Sequence, residues 1–418
     1  MADMVQVILW IVYFVSLYFT LFWFVVFMEN WEKLRPIKRR LNRFPFVTVV
    51  IPALNEEAHI ENTTMSVLDL DYPKEKLQVI VVNDGSTDKT AQIVERLMIT
   101  HKNLRLINQR NQGKAVALNK GLAAAKGEFF VCMDADSVVE RDALKTMLPC
   151  FEDQRVGLVL PLMKAQQPKN LMQRMQFVEY IINIFLRKIM GFLDCIHVGP
   201  GPFSVYRKSV LQKLGGYEEG NITEDLEITL RLQKHGFRVV QVMDAIVYTE
   251  TPSNLKAYYQ QRNRWMKGGV INGLKYRDVM FNADYGDFGL IQLPVLVLSG
   301  LLALALLLTS TYQILNPVYS FVNKLKFVHF DILTFIMNLQ TNFNPLDVRY
   351  LNAVIFATTL FFTLVMLHLA YKYTQEKMSS KNIPTVVIFI FIYFFILGII
   401  WLGVVKDLVT GNKLGWEK

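Results

Sequence analysis

"FFVCMDADSV" (Phe129–Val138) sets five apolar residues directly against two aspartates held one residue apart. A short apolar run bounded by polar residues reads as a buried strand. Asp134 and Asp136 then stand at its carboxyl end, two like charges with no cation beside them in the sequence. Three other runs have the same character: "FVTVVIP" from Phe46, "LQVIVVN" from Leu77 and "LRLIN" from Leu104. Helical patterns such as "KTAQIVERLMITH" and "KAVALNKGLAAAK" separate them. The alternation predicts an α/β domain of βαβ units around a parallel sheet. Such sheets bind ligands beyond the carboxyl ends of their strands. Here those ends read "ALNEE" (Ala53–Glu57), "NDGSTD" (Asn83–Asp88) and "DAD" (Asp134–Asp136), gathered along one edge.

The flanks are of another kind. The chain has 418 residues, is 52% hydrophobic and carries a formal charge of +9. Val5–Met28, Phe288–Leu315, Tyr350–Tyr371 and Ile383–Val405 contain no charged residue. Each exceeds the roughly 18 to 20 apolar residues that cross a bilayer as a helix, which predicts an integral membrane protein. The first segment is too long for a signal-peptide core and no small-residue cleavage site follows it. The stretch "KLRPIKRRLNR" (Lys33–Arg43) holds six basic residues and no acid. Against a membrane helix this places the following domain in the cytoplasm rather than marking a nucleic-acid contact. Cys132, Cys150 and Cys195 are scattered, without CxxC or histidine at ligand spacing, and fit a reducing compartment.

The predicted organisation is a transmembrane helix over residues 1–30, a basic juxtamembrane linker over 31–45 and an α/β domain over 46–285. A C-terminal transmembrane region over 286–405 and a tail over 406–418 follow. That region has three clear spans and a weaker fourth near residues 318–340, interrupted by Lys324, Lys326, His329 and Asp331. Four spans would return the C-terminus to the cytoplasm; three would leave it outside. Two amphipathic helices, near 171–193 and 254–280, belong to the α/β domain. The first carries Met175, Val178, Ile182, Phe185 and Ile189 at helical spacing with Arg174, Arg187 and Lys188 among them. Beside a membrane domain that pattern reads as a helix in the headgroup layer.

An N-cap and a solvated turn residue would account for one of the two aspartates, not for both. A hard dication, Mg²⁺ or Mn²⁺, accounts for the pair: it takes one or two carboxylates plus phosphate oxygens, and it stabilises a departing diphosphate. Three other stretches support that chemistry. "NITEDLEITLRLQKHG" (Asn221–Gly236) puts Glu224 and Asp225 at the start of a helix that Gly236 can end. "QQRNRWMKGG" (Gln260–Gly269) combines amide, guanidinium and indole, suited to phosphate oxygens and a sugar face. "NQGKAVALNKG" (Asn111–Gly121) offers Lys114 at a helix start, where anions are favoured.

"VVIPALNEE", "VVNDGSTD", "NQGKAVALNKG", "MDADS", "ITED" and "QRNRW" follow one another as they do in family 2 glycosyltransferases. More narrowly, the chain resembles the membrane-embedded synthases of hyaluronan, chitin, cellulose and poly-N-acetylglucosamine. The match covers about Phe46 to Gly269. "GPGPFSVYRK" (Gly199–Lys208) is most similar to the corresponding segment of hyaluronan synthases. The resemblance implies a GT-A (Rossmann-like) cytoplasmic domain inserted between transmembrane helices, and an inverting reaction on a UDP-sugar. It places Ala53, Glu56 and Asp84 around the uridine and Lys114 near the uracil or phosphate. Asp134 would contact ribose and diphosphate, Asp136 the metal, and Asp225, beside Glu224, would take the acceptor proton. Gln261 and Arg264 would brace the diphosphate, with Trp265 as floor for the acceptor. It departs from many hyaluronan-type members in showing one N-terminal span rather than two. Trp416, in "NKLGWEK", is a candidate nucleotide cover or an interface anchor.

Two acceptors stay open at this point. A processive synthase would extend a β-linked polysaccharide and pass it through its own helices. A ceramide glucosyltransferase-like enzyme would move one sugar to a membrane lipid. A transporter is disfavoured, because Phe288–Leu315 holds Pro294 and Gly300 but no ionisable group. A base at a helix start raises one tension: the helix dipole lowers its pKa, and burial beside Glu224 would have to offset that.

Overall fold

The computed structural model describes residues 2–34, 41–327, 350–378 and 382–411. The elements run in the order α1 (Ala2–Asn30), β1 (Val47–Ala53), α2 (Ile60–Leu68), β2 (Leu77–Asp84), α3 (Thr90–Thr100), β3 (Leu104–Gln109), α4 (Lys114–Ala124) and β4 (Phe129–Cys132). There follow β5 (Ser137–Val139), α5 (Ala143–Met147), β6 (Val156–Ala165), α6 (Leu171–Met190), β7 (Ser204–Arg207), α7 (Lys208–Lys213), α8 (Glu224–Lys234), β8 (Arg238–Thr249) and α9 (Leu255–Lys275). Three long helices close the chain: α10 (Leu293–Phe327), α11 (Tyr350–Tyr373) and α12 (Ile383–Thr410).

All four expected strands form and pair in parallel, in the order β3-β2-β1-β4. The sheet does not stay parallel. It has eight strands, continuing β7-β6-β8-β5, with β7 antiparallel to both β4 and β6. The expectation of a parallel sheet is therefore corrected to a mixed one. The added strands carry weak signals. Pro161 lies inside β6, where a register shift between Leu160 and Leu162 disrupts the ladder, and β7 is only four residues long.

Both faces of the parallel half are covered, which explains its near-continuous apolar runs. Val49, Ile51, Val79 and Val81 pack toward α2 and α3 with Ile60, Val67 and Val94. Val50, Ile80, Val82 and Phe130 pack toward α4 and α8 with Leu118, Leu122, Ile228 and Leu232. The period-2 alternation of the strands thus feeds two cores at once.

Four described helical stretches are long and apolar enough to cross a membrane: Val5–Leu34, Phe288–Phe327, Tyr350–Tyr373 and Ile383–Thr410. They match the one N-terminal and three clear C-terminal segments of the sequence. The weaker span near 318–340 begins inside α10, and its remainder lies outside the described residues, as do residues 35–40 of the basic linker and Trp416. The helix at 171–193 is not an ordinary headgroup rider. Val178, Ile181 and Phe185 of α6 are buried with Val26 and Phe27 of α1 and Leu367 and Ala370 of α11, and Arg187 is 8% exposed.

Helix α4 lies so close to β1 that a methyl group at Gly121 would stand 2.9 Å from Val50 Cγ2 and nearer still to Cγ1. Gly121→Ala is expected to lower stability by about 1–3 kcal/mol through overpacking. Val50→Ala should recover much of that loss in the double variant. Thermal unfolding of the four proteins in detergent checks it, and simple additivity would refute it.

Candidate active site

The cation missing beside Asp134 in the sequence comes from the start of α4. Lys114 Nζ lies 2.7 Å from Asp134 Oδ1 and 3.1 Å from Glu224 Oε1. One ammonium thus joins the end of β4 to the start of α8. Burial works against its charge, but Asp134 and Glu224 hold its pKa well above the ordinary lysine value. Gly201 lies against Asp134, where a side chain would collide with the carboxylate: its Cβ would sit 2.5 Å from Oδ1.

The lysine is aimed by the loop before it. Asp84, fully buried at the end of β2, accepts hydrogen bonds from Gln109 Nε2 at 2.7 Å and from the backbone N–H of Gln112 and Gly113, each at 2.9 Å. Gly113 starts α4 with φ of +96°, a conformation that suits glycine. Asp84, expected around a uridine, thus also braces the loop that presents Lys114. Ala53 pairs with Asn83 across β1 and β2 and brings the "ALNEE" loop to the same edge. Glu56 is buried there, its backbone N–H donating to Thr90 Oγ1 at 2.8 Å.

Asp225 lies beside Glu224 in the first turn of α8. Burial first, and the neighbouring Glu224 second, push its pKa up to about 6, while Lys114 and Arg264 pull it down. The tension seen in the sequence resolves in favour of burial. Asp136 is also raised to about 6, by burial and then by Asp134, and its Oδ1 accepts from Ser137 Oγ at 3.1 Å. These are oxygen donors, the set a hard dication takes. Among the described residues no group of three or more His, Cys, Asp or Glu gathers as a ready cage. A dication held at Asp136 would therefore draw its remaining ligands from a diphosphate and water, which fits Mg²⁺ or Mn²⁺.

Helix α9 supplies the third wall. Arg264 Nη1 donates to the carbonyl of Ile222 at 3.3 Å, tying the helix to the loop before α8. Gln261 Oε1 accepts from Arg262 Nη1 at 2.5 Å, and Trp265 remains 37% exposed. Lys114 unites Asp134 and Glu224, with Asp225 next to Glu224 and Arg264 close enough to act on the Asp225 charge. Ala53, Glu56 and Asp84 form a neighbouring group at the ends of β1 and β2. Two charged residues escaped the sequence reading. Arg262 is 2% exposed and paired in a fork with Glu179, the only acid in α6. A lone acid on an apolar helix was the available signal.

Carboxylates and a buried lysine thus gather at the carboxyl ends of the parallel strands of an α/β protein, the edge at which such sheets take their ligands. The chain belongs to glycosyltransferase family 2: residues 45–268 match the family profile described as "Glycosyltransferase like family 2". Poly-β-1,6-N-acetyl-D-glucosamine synthase of Staphylococcus aureus (strain COL) is 29% identical over 272 residues, 63% of this chain and 62% of that protein. The protein of the same name in Staphylococcus epidermidis is 27% identical over 261 residues, 61% and 63% respectively. The chain thus spans less than two thirds of the length of these curated relatives. A solved mannosyltransferase from Pyrobaculum calidifontis, in complex with GDP-Man and Mn²⁺, shares the fold with a TM-score of 0.60 at 20% identity. That likeness covers 96% of this chain and 100% of the other.

A carboxylate whose pKa is raised on folding destabilises the native state above that pKa. Asp225→Asn is therefore expected to melt at higher temperature than the parent at pH 8. The gap should narrow as pH falls through about 6 and close only below the ordinary carboxylate value of 3.8, where the parent carboxyl is protonated in both folded and unfolded states. Melting curves across pH test this, and a less stable variant at pH 8 would contradict it.

Proposed function

We propose that the chain is an inverting hexosyltransferase that moves a sugar from a UDP-sugar to the end of a β-linked polysaccharide at the cytoplasmic face of the cell membrane. One observation carries the reading. Lys114 brings the "DAD" motif and the "ITED" motif, about ninety residues apart, within 3.1 Å of a single ammonium. Donor-handling and proton-accepting groups therefore face each other across one space.

Asp225 removes the proton from the acceptor hydroxyl as that oxygen attacks the anomeric carbon from the side opposite the leaving group. Glu224 keeps Asp225 basic by like-charge repulsion, while its own charge is met by Lys114. Lys114, Arg264 and the Gln261 amide neutralise and orient the departing diphosphate. Ala53, Glu56 and Asp84 border the uridine, and Asp134 the ribose and diphosphate. Trp265 offers an indole face to the acceptor sugar. A divalent ion held by Asp136 would supply Lewis-acid stabilisation of the leaving UDP.

The relatives named as poly-β-1,6-N-acetyl-D-glucosamine synthases support a polysaccharide acceptor and make UDP-GlcNAc the first donor to try. Tyr258 of α9, the helix that also carries Trp265, is buried with Ile400, Trp401 and Val404 of α12. That favours passage of the product through the membrane helices. The alternative is transfer of one sugar to a membrane lipid. Purified chain given a panel of UDP-sugars, with and without Mn²⁺ or Mg²⁺, should yield a polymer ladder from one donor. A single glycolipid would select the alternative, and no turnover of any donor would sink both.

Because Asp225 must be ionised to act, kcat/KM should fall about tenfold per pH unit below an apparent midpoint near 6. Lys114 lowers that pKa, so Lys114→Met should move the acid limb upward in pH, beyond any loss in absolute rate. A limb that stays in place while the rate drops would remove Lys114 from the electrostatics of the base.

A further inference from the structure

Arg262 is a charged side chain with no assigned part in the chemistry and almost no access to water: it is 2% exposed, on a helix beside the membrane segments. Its guanidinium is engaged at every nitrogen. Nε donates to Glu179 Oε1 at 3.0 Å, Nη2 to Glu179 Oε2 at 2.8 Å and Nη1 to Gln261 Oε1 at 2.5 Å. Its plane lies among aromatic rings, with Cζ 4.1 Å from the centre of Trp265, 4.7 Å from Tyr258 and 5.9 Å from Tyr180.

Stability alone is a poor reason to keep such a group. Replacing a buried ion pair by apolar side chains of similar volume is often neutral or stabilising. What the arrangement does provide is orientation. A guanidinium has donors and no acceptor, so the Gln261 amide must turn its oxygen toward Arg262. The NH₂ end is then turned away from Arg262 and left to donate elsewhere, and a donor is what diphosphate oxygens require. Trp265 is held by a cation at 4.1 Å and still keeps 37% of its surface exposed. A lysine has no planar fork with which to hold Glu179 at two points and reach the Gln261 oxygen at the same time.

We propose that Arg262, anchored by Glu179, is a positioning residue that fixes the Gln261 amide and the Trp265 indole in their working orientations. The pair joins α6 to α9, so one buried contact sets a donor-side and an acceptor-side group together. The inference deepens the glycosyl-transfer reading and rests on it for the roles of Gln261 and Trp265.

The test uses the full chain in detergent, labelled with 5-fluorotryptophan, with the Trp265 resonance assigned by its loss in Trp265→Phe. In Arg262→Met and in the nearly isosteric Glu179→Gln, that resonance should shift or broaden without any substrate present. In the same folded proteins kcat/KM for transfer should fall about 10- to 100-fold, with a rise in KM for the UDP-sugar. The double variant should be little worse than the worse single. Should Arg262→Met fail to fold, Glu179→Gln decides. An unmoved Trp265 resonance overturns the proposal. So does a moved one with KM and kcat unchanged, or an activity loss that only follows the folded fraction. A parent protein that transfers no sugar would defeat the functional reading while leaving the resonance test in force.

Discussion

The ion contact of Lys114 with Asp134 and Glu224 is what the rest of the site depends on. Two acids, one at the tip of a strand and one in the first turn of a helix, are drawn from water to a shared cation. Neither could be buried alone at small cost. The lysine in turn depends on Asp84, whose carboxylate gathers the backbone of Gln112 and Gly113 and so sets where α4 begins. The support is a relay: the end of β2 fixes a loop, the loop fixes a lysine, and the lysine fixes two motifs distant in the chain. Geometry at the reacting centre is inherited from the sheet.

The same burial that makes the lysine necessary gives Asp225 its character. A carboxylate at a helix start would ordinarily be a weak base, since the dipole favours its charge. Here removal from water and the adjacent Glu224 outweigh the dipole and leave it near pH 6. The arrangement trades fold stability for basicity at one residue, a common pattern in active sites.

How much was legible beforehand follows from the range of each signal. The strands over Phe46, Leu77, Leu104 and Phe129 announced themselves because they are buried on both faces and short. The four apolar segments were equally plain. Strand β6 was obscured by Pro161, and β7 by its brevity, so the antiparallel half of the sheet went unseen. The "DAD" and "ITED" residues were found as motifs, but their joint meeting with Lys114 is a long-range contact that no local pattern encodes. Arg187 was read as part of a basic surface, and burial reversed that. Arg262 lay inside a quoted motif, yet only the fold reveals Glu179 opposite it, 83 residues away.

One packing detail bears on the size of the working unit. Thr223 presses on Gly268, and Asn272 donates to Thr223 Oγ1 at 2.9 Å, so α9 is joined on one side to the start of α8, where Glu224 and Asp225 lie. On its other side α9 meets the hydrophobic helices, Gly273 against Val297 and Met266 and Val270 beside Trp401. A water-soluble fragment cut at residue 285 would keep every motif and lose the partner of half of this helix. The long apolar helices are therefore packing partners of the helix that carries Gln261, Arg264 and Trp265 as well as candidate membrane spans. A push on α10 or α12 would bear directly on α9, and through it on the start of α8.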